Sequence, residues 1–219
     1  MTLDNLNYRT SPFFLRNTLY GVGKYDMPVS PRFEAQLGDF DNLRLLGYDK
    51  VNADDGKHAD RIVHFFLYDY KFEKVWNDPT QSIDRLRKYK AVLTPDFSLY
   101  IQMHRMQQMF NVFRNRWCGA YFASRGLRVI PTVNWGLEPT FEFCFEGIPK
   151  GSAVAVSTYM VQEHNGKPAQ KDFFMKGYNE MLRRLEPEVI ICYHTPFSEM
   201  SGNIIHVDYD LSSWRYMNA

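Results

Sequence analysis

A chain of 219 residues can bury most of the surface that its unfolded form exposes, so it needs neither disulfide nor metal to stay folded. Its 26 Lys and Arg against 25 Asp and Glu leave a net charge of +1, without the basic excess of a protein held on duplex nucleic acid by phosphates. The 17 Phe, 14 Tyr and 4 Trp are enough to fill a well-packed core and to wall a pocket.

Residues 1–42 have no regular pattern. Pro12, Pro28 and Pro31 break any long helix, and Gly21, Gly23 and Gly38 suggest turns. They are read as an arm packed on a single α/β domain spanning 43–219, held by Phe13, Phe14, Leu15, Tyr20 and Phe33. Residues 52–60 form a polar loop; their acids and His58 lack calcium-loop spacing, just as Gly21-Val22-Gly23-Lys24 lacks phosphate-loop spacing.

The chain then settles into a rhythm. Residues 62–68 and 91–94 read as strands, with a helix near 80–89 between them. The longest helix is expected over 101–124. Its wheel places Met106, Phe110, Phe113, Trp117, Ala120 and Tyr121 on the buried face, and His104, Gln108, Asn111 and Asn115 on the wet one. Gly126 stops it. Residues 127–133 are a strand with a proline bulge, and 139–147 fit either a short helix or a lid carrying Glu142 and Glu146. Strands at 152–158 and 189–193 flank a helix at 171–185, and 203–207 is a possible edge strand before the aromatic tail Trp214-Arg215-Tyr216. Alternation of this kind predicts a mostly parallel sheet of five or six strands with crossover helices, either open and doubly wound or an incomplete TIM-like barrel.

Ligands of parallel α/β folds sit at the carboxyl ends of the strands, so the residues there are the site candidates. Asp96 follows a strand exit, where a carboxylate holds a divalent metal or acts as a base; the competing reading is a turn cap. His194 is a candidate acid or base. Ser98, Asn134, Trp135, Ser157, Thr158 and Tyr193 are candidate substrate contacts, Trp135 by stacking and Ser157-Thr158 by holding phosphate. For Trp135 and His194 packing is the competing reading, and for Ser157-Thr158 a satisfied turn. Glu138, Glu142 and Glu146 either line the cleft or face solvent.

None of Cys118, Cys144 and Cys192 sits in a CxxC pair, which fits a reducing compartment and argues against a structural zinc. The start Met1-Thr2-Leu3-Asp4-Asn5-Leu6 predicts no signal peptide, and no stretch has the length of a membrane span, so a cytoplasmic address without membrane attachment is expected.

The segments 91–98, 129–135 and 147–158, in that order, resemble the family catalogued as domain of unknown function 4417, with the likeness running from about residue 60 to 195. That resemblance implies a bacterial, phage or mobile-element setting, hence host cytoplasm for a phage product, and no particular activity. At 193–195 the chain has Tyr-His-Thr where the resemblance implies Tyr-Gly, which counts against His194 as a family catalyst. The expectation is an enzyme acting on a nucleotide or nucleic-acid phosphate, with nucleotide or single-stranded nucleic acid as partner. The alternatives are a binding module for nucleotide, nucleic acid or host protein, and an assembly protein that pairs with itself.

Overall fold

The computed structural model describes residues 10–163 and 168–209. The tail 214–216 lies outside them. The arm contributes helix α1 (Pro12–Leu15), capped by the Ser11 hydroxyl, and an antiparallel pair of strands, β1 (Gly21–Val22) and β2 (Met27–Pro28). Phe13 meets the rings of Trp117 and Tyr121 edge-on, and Phe33 is buried in the core. Phe14, Leu15 and Tyr20, expected to hold the arm, are 56%, 47% and 78% exposed.

Among the described residues seven parallel strands follow, where five or six are expected. β3 (Leu45–Gly47), β4 (Ile62–His64), β5 (Ala91–Leu93) and β6 (Val129–Ile130) form one sheet, and β7 (Val154–Ser157), β8 (Ile190–Tyr193) and β9 (Ile204–Val207) a second. Registers such as Leu45 opposite Ile62 and Val154 opposite Ile190 set the ladders. One parallel bridge, Thr132 to Ala155, joins the sheets: Val133 N donates to Ala155 O at 2.8 Å and Ala155 N to Pro131 O at 2.9 Å. Pro131 has no N–H to give, which ends β6 after two residues. Within each sheet the strands lie in chain order, without the reversal that defines a doubly wound sheet.

Both faces of β3 to β8 are buried, as parallel strands require, while the edge strand β9 exposes His206. Leu45, Ile62, Leu93, Ile130, Ala155, Ile191 and Val207, one from each strand, meet in a single apolar cluster. Their neighbours point the other way. Leu46, Val63, Val92 and Val129 pack on α3 (Thr80–Leu86) and α4 (Arg105–Ser124), while Val154, Val156, Ile190 and Cys192 pack on α7 (Pro168–Leu185). The remaining helices are α2 (Glu73–Asn77), α5 (Phe141–Cys144) and α6 (Tyr159–Glu163). Among the described residues no helix is long and apolar enough to cross a membrane.

Helix α4 follows its wheel at Trp117, Ala120 and Tyr121 and departs from it towards its N-terminus. Met106 and Phe110 are 62% and 48% exposed, whereas Gln108, Asn111 and Asn115 are buried. The loop after β5 explains the inversion, because its carbonyls need donors and these amides supply them. The helix also comes close: a Cβ at Gly119 would lie 2.5 Å from Thr94 Cγ2. The undecided segment 139–147 is a short helical turn with Phe143, Cys144 and Phe145 buried, not a lid. The fully buried Arg116 guanidinium fixes it, donating to Cys144 O at 2.6 Å and Glu146 O at 2.9 Å.

Candidate functional site

The loop leaving β5 is held from beneath by helix α4. Asn115 Nδ2 donates to Pro95 O at 2.8 Å, Asn111 Nδ2 to Ser98 O at 2.7 Å and Gln108 Nε2 to Tyr100 O at 2.6 Å. The three amides repeat at helical spacing, so one helix face reads the loop carbonyl by carbonyl. Thr94 Oγ1 donates to Asn115 Oδ1 at 2.9 Å and accepts from Thr132 N at 2.8 Å, which ties the ends of β5 and β6 to the same helix. Phe97 is buried beneath the loop, with the Arg114 guanidinium 3.8 Å from its ring centroid and paired to Glu73 at 2.6 Å.

Asp96 is thereby placed at the carboxyl end of β5, half-buried. Asn134, from the end of β6, donates its amide to Asp96 Oδ1 at 2.8 Å and to Phe97 O at 2.9 Å. Asp69, from the loop after β4, accepts from the Ser98 hydroxyl at 2.8 Å and from the Ser98 backbone N–H at 3.2 Å. Loss of surrounding water, and then the negative charge of Asp69, push the Asp96 carboxyl up to about 7, against the opposing hydrogen bond from Asn134. A carboxyl poised near neutrality can both give and take a proton at physiological pH.

Of the sequence-predicted residues, Asp96, Ser98 and Asn134 come together, joined by Asp69. The others do not join them. Trp135 is 7% exposed, with its ring 5.1 Å from Phe174, and a Cβ on Gly177 would lie 2.2 Å from the indole. It has no open face for a base and belongs to the core. Thr158 is fully buried and its hydroxyl donates to Thr195 O at 2.8 Å, while Ser157 Oγ accepts from Tyr159 N at 3.2 Å. These are satisfied turn contacts rather than a phosphate cradle. Tyr193 is 1% exposed and stacked on Phe66 with centroids 4.9 Å apart. His194 has a φ of 72° and lies with Tyr159 and Tyr209, its Nδ1 buried and unpartnered.

The glutamates also lie elsewhere. Glu138 pairs with Lys176, Glu142 with Lys24 and Arg105, and Glu146 sits against Gly23. Glu138 and Glu142 border a charged depression with Arg105, Glu180 and Arg184; a second depression lies between Phe13, Trp76 and Phe110. Neither includes Asp96. Among the described residues no three His, Cys, Asp or Glu side chains group as a metal site, so a metal at Asp96 would have Asp69 as its one carboxylate neighbour. The three cysteines are free, and burial pushes the Cys118 and Cys192 thiols up to about 12 and Cys144 to about 11, which keeps them unreactive.

The profile described as Domain of unknown function (DUF4417) matches residues 23–210. The chain belongs to the DUF4417 family. Residues 23–210 include all seven parallel strands together with Asp69, Asp96, Ser98, Asn134 and the amide face of α4. The chain is also similar to the Gene 1 proteins of two mycobacteriophages. With that of Mycobacterium phage L5 it shares 44% identity over 131 residues, covering 60% of this chain and 56% of the relative. With that of Mycobacterium phage D29 it again shares 44% over 131 residues, covering 60% and 47%. The chain thus matches only about half the length of these curated relatives. No solved structure matches it.

Two features of the site are only partly marked in the sequence. Asp69 follows the strand predicted at 62–68, so position marks it as it marks Asp96, but nothing in the sequence marks its approach to Ser98. Asn111 and Asn115 did have a signal: amides at three- and four-residue spacing define a stripe. A polar stripe suggests water, however, unless the loop opposite is known.

Proposed function

We propose that this DUF4417 chain is a phage-type acid–base enzyme working at the carboxyl ends of its parallel strands, with Asp96 as the proton-transferring group. The observation that carries this reading is the raised Asp96 carboxyl beside Asp69, on a loop held by buried amides. Perturbed carboxyls at strand ends concentrate at functional sites, because a purely structural residue gains nothing from such a placement. Asn134 would orient the Asp96 carboxyl, and Ser98 would hold Asp69. The chain-order sheet and the apolar cluster shared by all seven strands support an incomplete TIM-like barrel, whose strand ends are the common place for chemistry. A nucleotide or nucleic-acid phosphate fits this centre only with a divalent cation between the carboxylates, since like charges otherwise oppose its approach.

The test is a turnover screen of the wild type and Asp96→Asn with chromogenic glycosides, esters, phosphomonoesters and phosphodiesters, the last two with and without magnesium. The expected result is turnover of one class, lowered by about a hundredfold or more in the variant, with a pH profile that breaks near 7. Turnover that ignores the substitution, or no turnover of any class, refutes the reading.

A further inference from the structure

This inference rests on the acid–base reading of the strand-end face and concerns what that face binds. Asp69 lies in sequence between Tyr68 and Tyr70, which are 61% and 76% exposed. Their rings stack with centroids 5.9 Å apart and planes within 11°. On the neighbouring loop, Tyr100 and Ile101 stand about half in water, two and three residues beyond Ser98. Both acid-bearing loops therefore display large apolar side chains a few residues from the acid. Exposed apolar groups on acid-bearing loops mark a contact surface, and flat rings there suit a ligand made of rings.

Bases and sugars both stack on tyrosine, so charge decides between them. The segments leaving β3, β4 and β5 carry Asp49, Asp69 and Asp96 against Lys50 and Lys71. The Lys71 ammonium is already held by Asp49 at 2.8 Å. The guanidinium of Arg114 lies under the loop, buried and committed to Glu73. With Asp49 spent on Lys71, a phosphodiester chain laid across these tyrosines would meet the Asp69 carboxylate and, once ionised, that of Asp96; a neutral sugar chain meets no such opposition.

We propose that the site takes a neutral saccharide chain, with sugar faces on Tyr68, Tyr70 and Tyr100 and a glycosidic oxygen presented to Asp96. In the hydrolysis that follows, Asp96 gives its proton to the glycosidic oxygen as the bond from that oxygen to the ring carbon breaks. A water molecule then supplies hydroxyl to that carbon and returns a proton to Asp96. The Asp69 carboxylate faces the positive charge that develops on the ring in between.

The experiment is calorimetric titration of the full chain with neutral hexasaccharides of the cello, chito and malto series, and with a short oligothymidylate, all without divalent cations. One saccharide series is expected to bind. The double substitution Tyr68→Ala with Tyr70→Ala should weaken it by about tenfold and leave the melting temperature in place. Tighter binding of oligothymidylate, no binding of any hexasaccharide, or binding indifferent to the tyrosines would each overturn the saccharide inference. Asp96-dependent turnover confined to phosphates or esters would overturn it too, while leaving the acid–base reading intact. Saccharide binding with no turnover of any substrate class would do the reverse.

Discussion

Replacing Asp96 by Asn should change how stability depends on pH more than it changes stability at any one pH. Asp96 titrates at about 7 in the folded chain and near the ordinary carboxylate value when unfolded. Its folded value is raised, so its contribution is fully present below the unfolded value and is lost as pH rises towards 7. At about 1.4 kcal/mol for each pH unit, the gap caps that loss at about 4 kcal/mol. The residue is only partly buried, so screening by water should bring it to about 2 kcal/mol. An Asn at this position keeps an oxygen for Asn134 and carries no charge at any pH. Urea unfolding at intervals from pH 4 to 8.5 should show the wild type losing about 2 kcal/mol relative to the variant across that range. Two parallel curves would mean that Asp96 is ionised and well solvated in the folded chain, and the acid–base reading would lose its support.

Three further substitutions probe the frame. Asn115→Leu removes the buried hydrogen bonds of Asn115 with Pro95 O, Thr94 Oγ1 and Arg116, and should cost about 3 kcal/mol by urea unfolding. Gly177→Ala drives a methyl into the Trp135 indole, where a Cβ would lie 2.2 Å away; a loss of about 3 kcal/mol is expected, with a changed tryptophan emission. Asp39 is held down to about 2, chiefly by hydrogen bonds from Arg128, so its stabilisation is present above the ordinary carboxylate value and is lost as pH falls towards 2. Asp39→Asn should cost about 2 kcal/mol at pH 7 and little at pH 2, as read by unfolding across the acid limb.

Segments 91–94, 152–158 and 189–193 are legible as strands because each is an apolar run short enough for a strand and buried on both faces. Leu45–Gly47 escapes notice because Leu-Leu-Gly is too short to carry a period; only pairing with β4 makes it a strand. Helix α4 is legible as a helix, and its buried face is legible at Trp117, Ala120 and Tyr121 but not at its N-terminal half. Asn111 and Asn115 are buried because carbonyls lie opposite, while Met106 and Phe110, beyond the covered stretch of the helix, stay about half or more exposed. Asp96, Ser98 and Asn134 were found by position, each following a strand. Position also proposed Trp135, Thr158 and Tyr193, which turn inward. The difference is one of side-chain direction, which alternates along a strand and is reset at each loop.

The same frame predicts which force governs Asp96. Two causes raise it, loss of water first and the charge of Asp69 second. Asp69→Asn removes the second and leaves the first, because Asn115, Asn111 and Gln108 still hold the loop against the helix. In that variant the Asp96 midpoint, followed by carbon NMR of the carboxyl, should drop by less than half of its distance to the ordinary value. If turnover depends on Asp96 alone, its pH break should move down by the same amount. A midpoint that returned the whole way would show that repulsion between the two carboxylates, not dehydration, holds the proton. The amide stripe of α4 would then be scaffolding for the loop, with no part in tuning the acid.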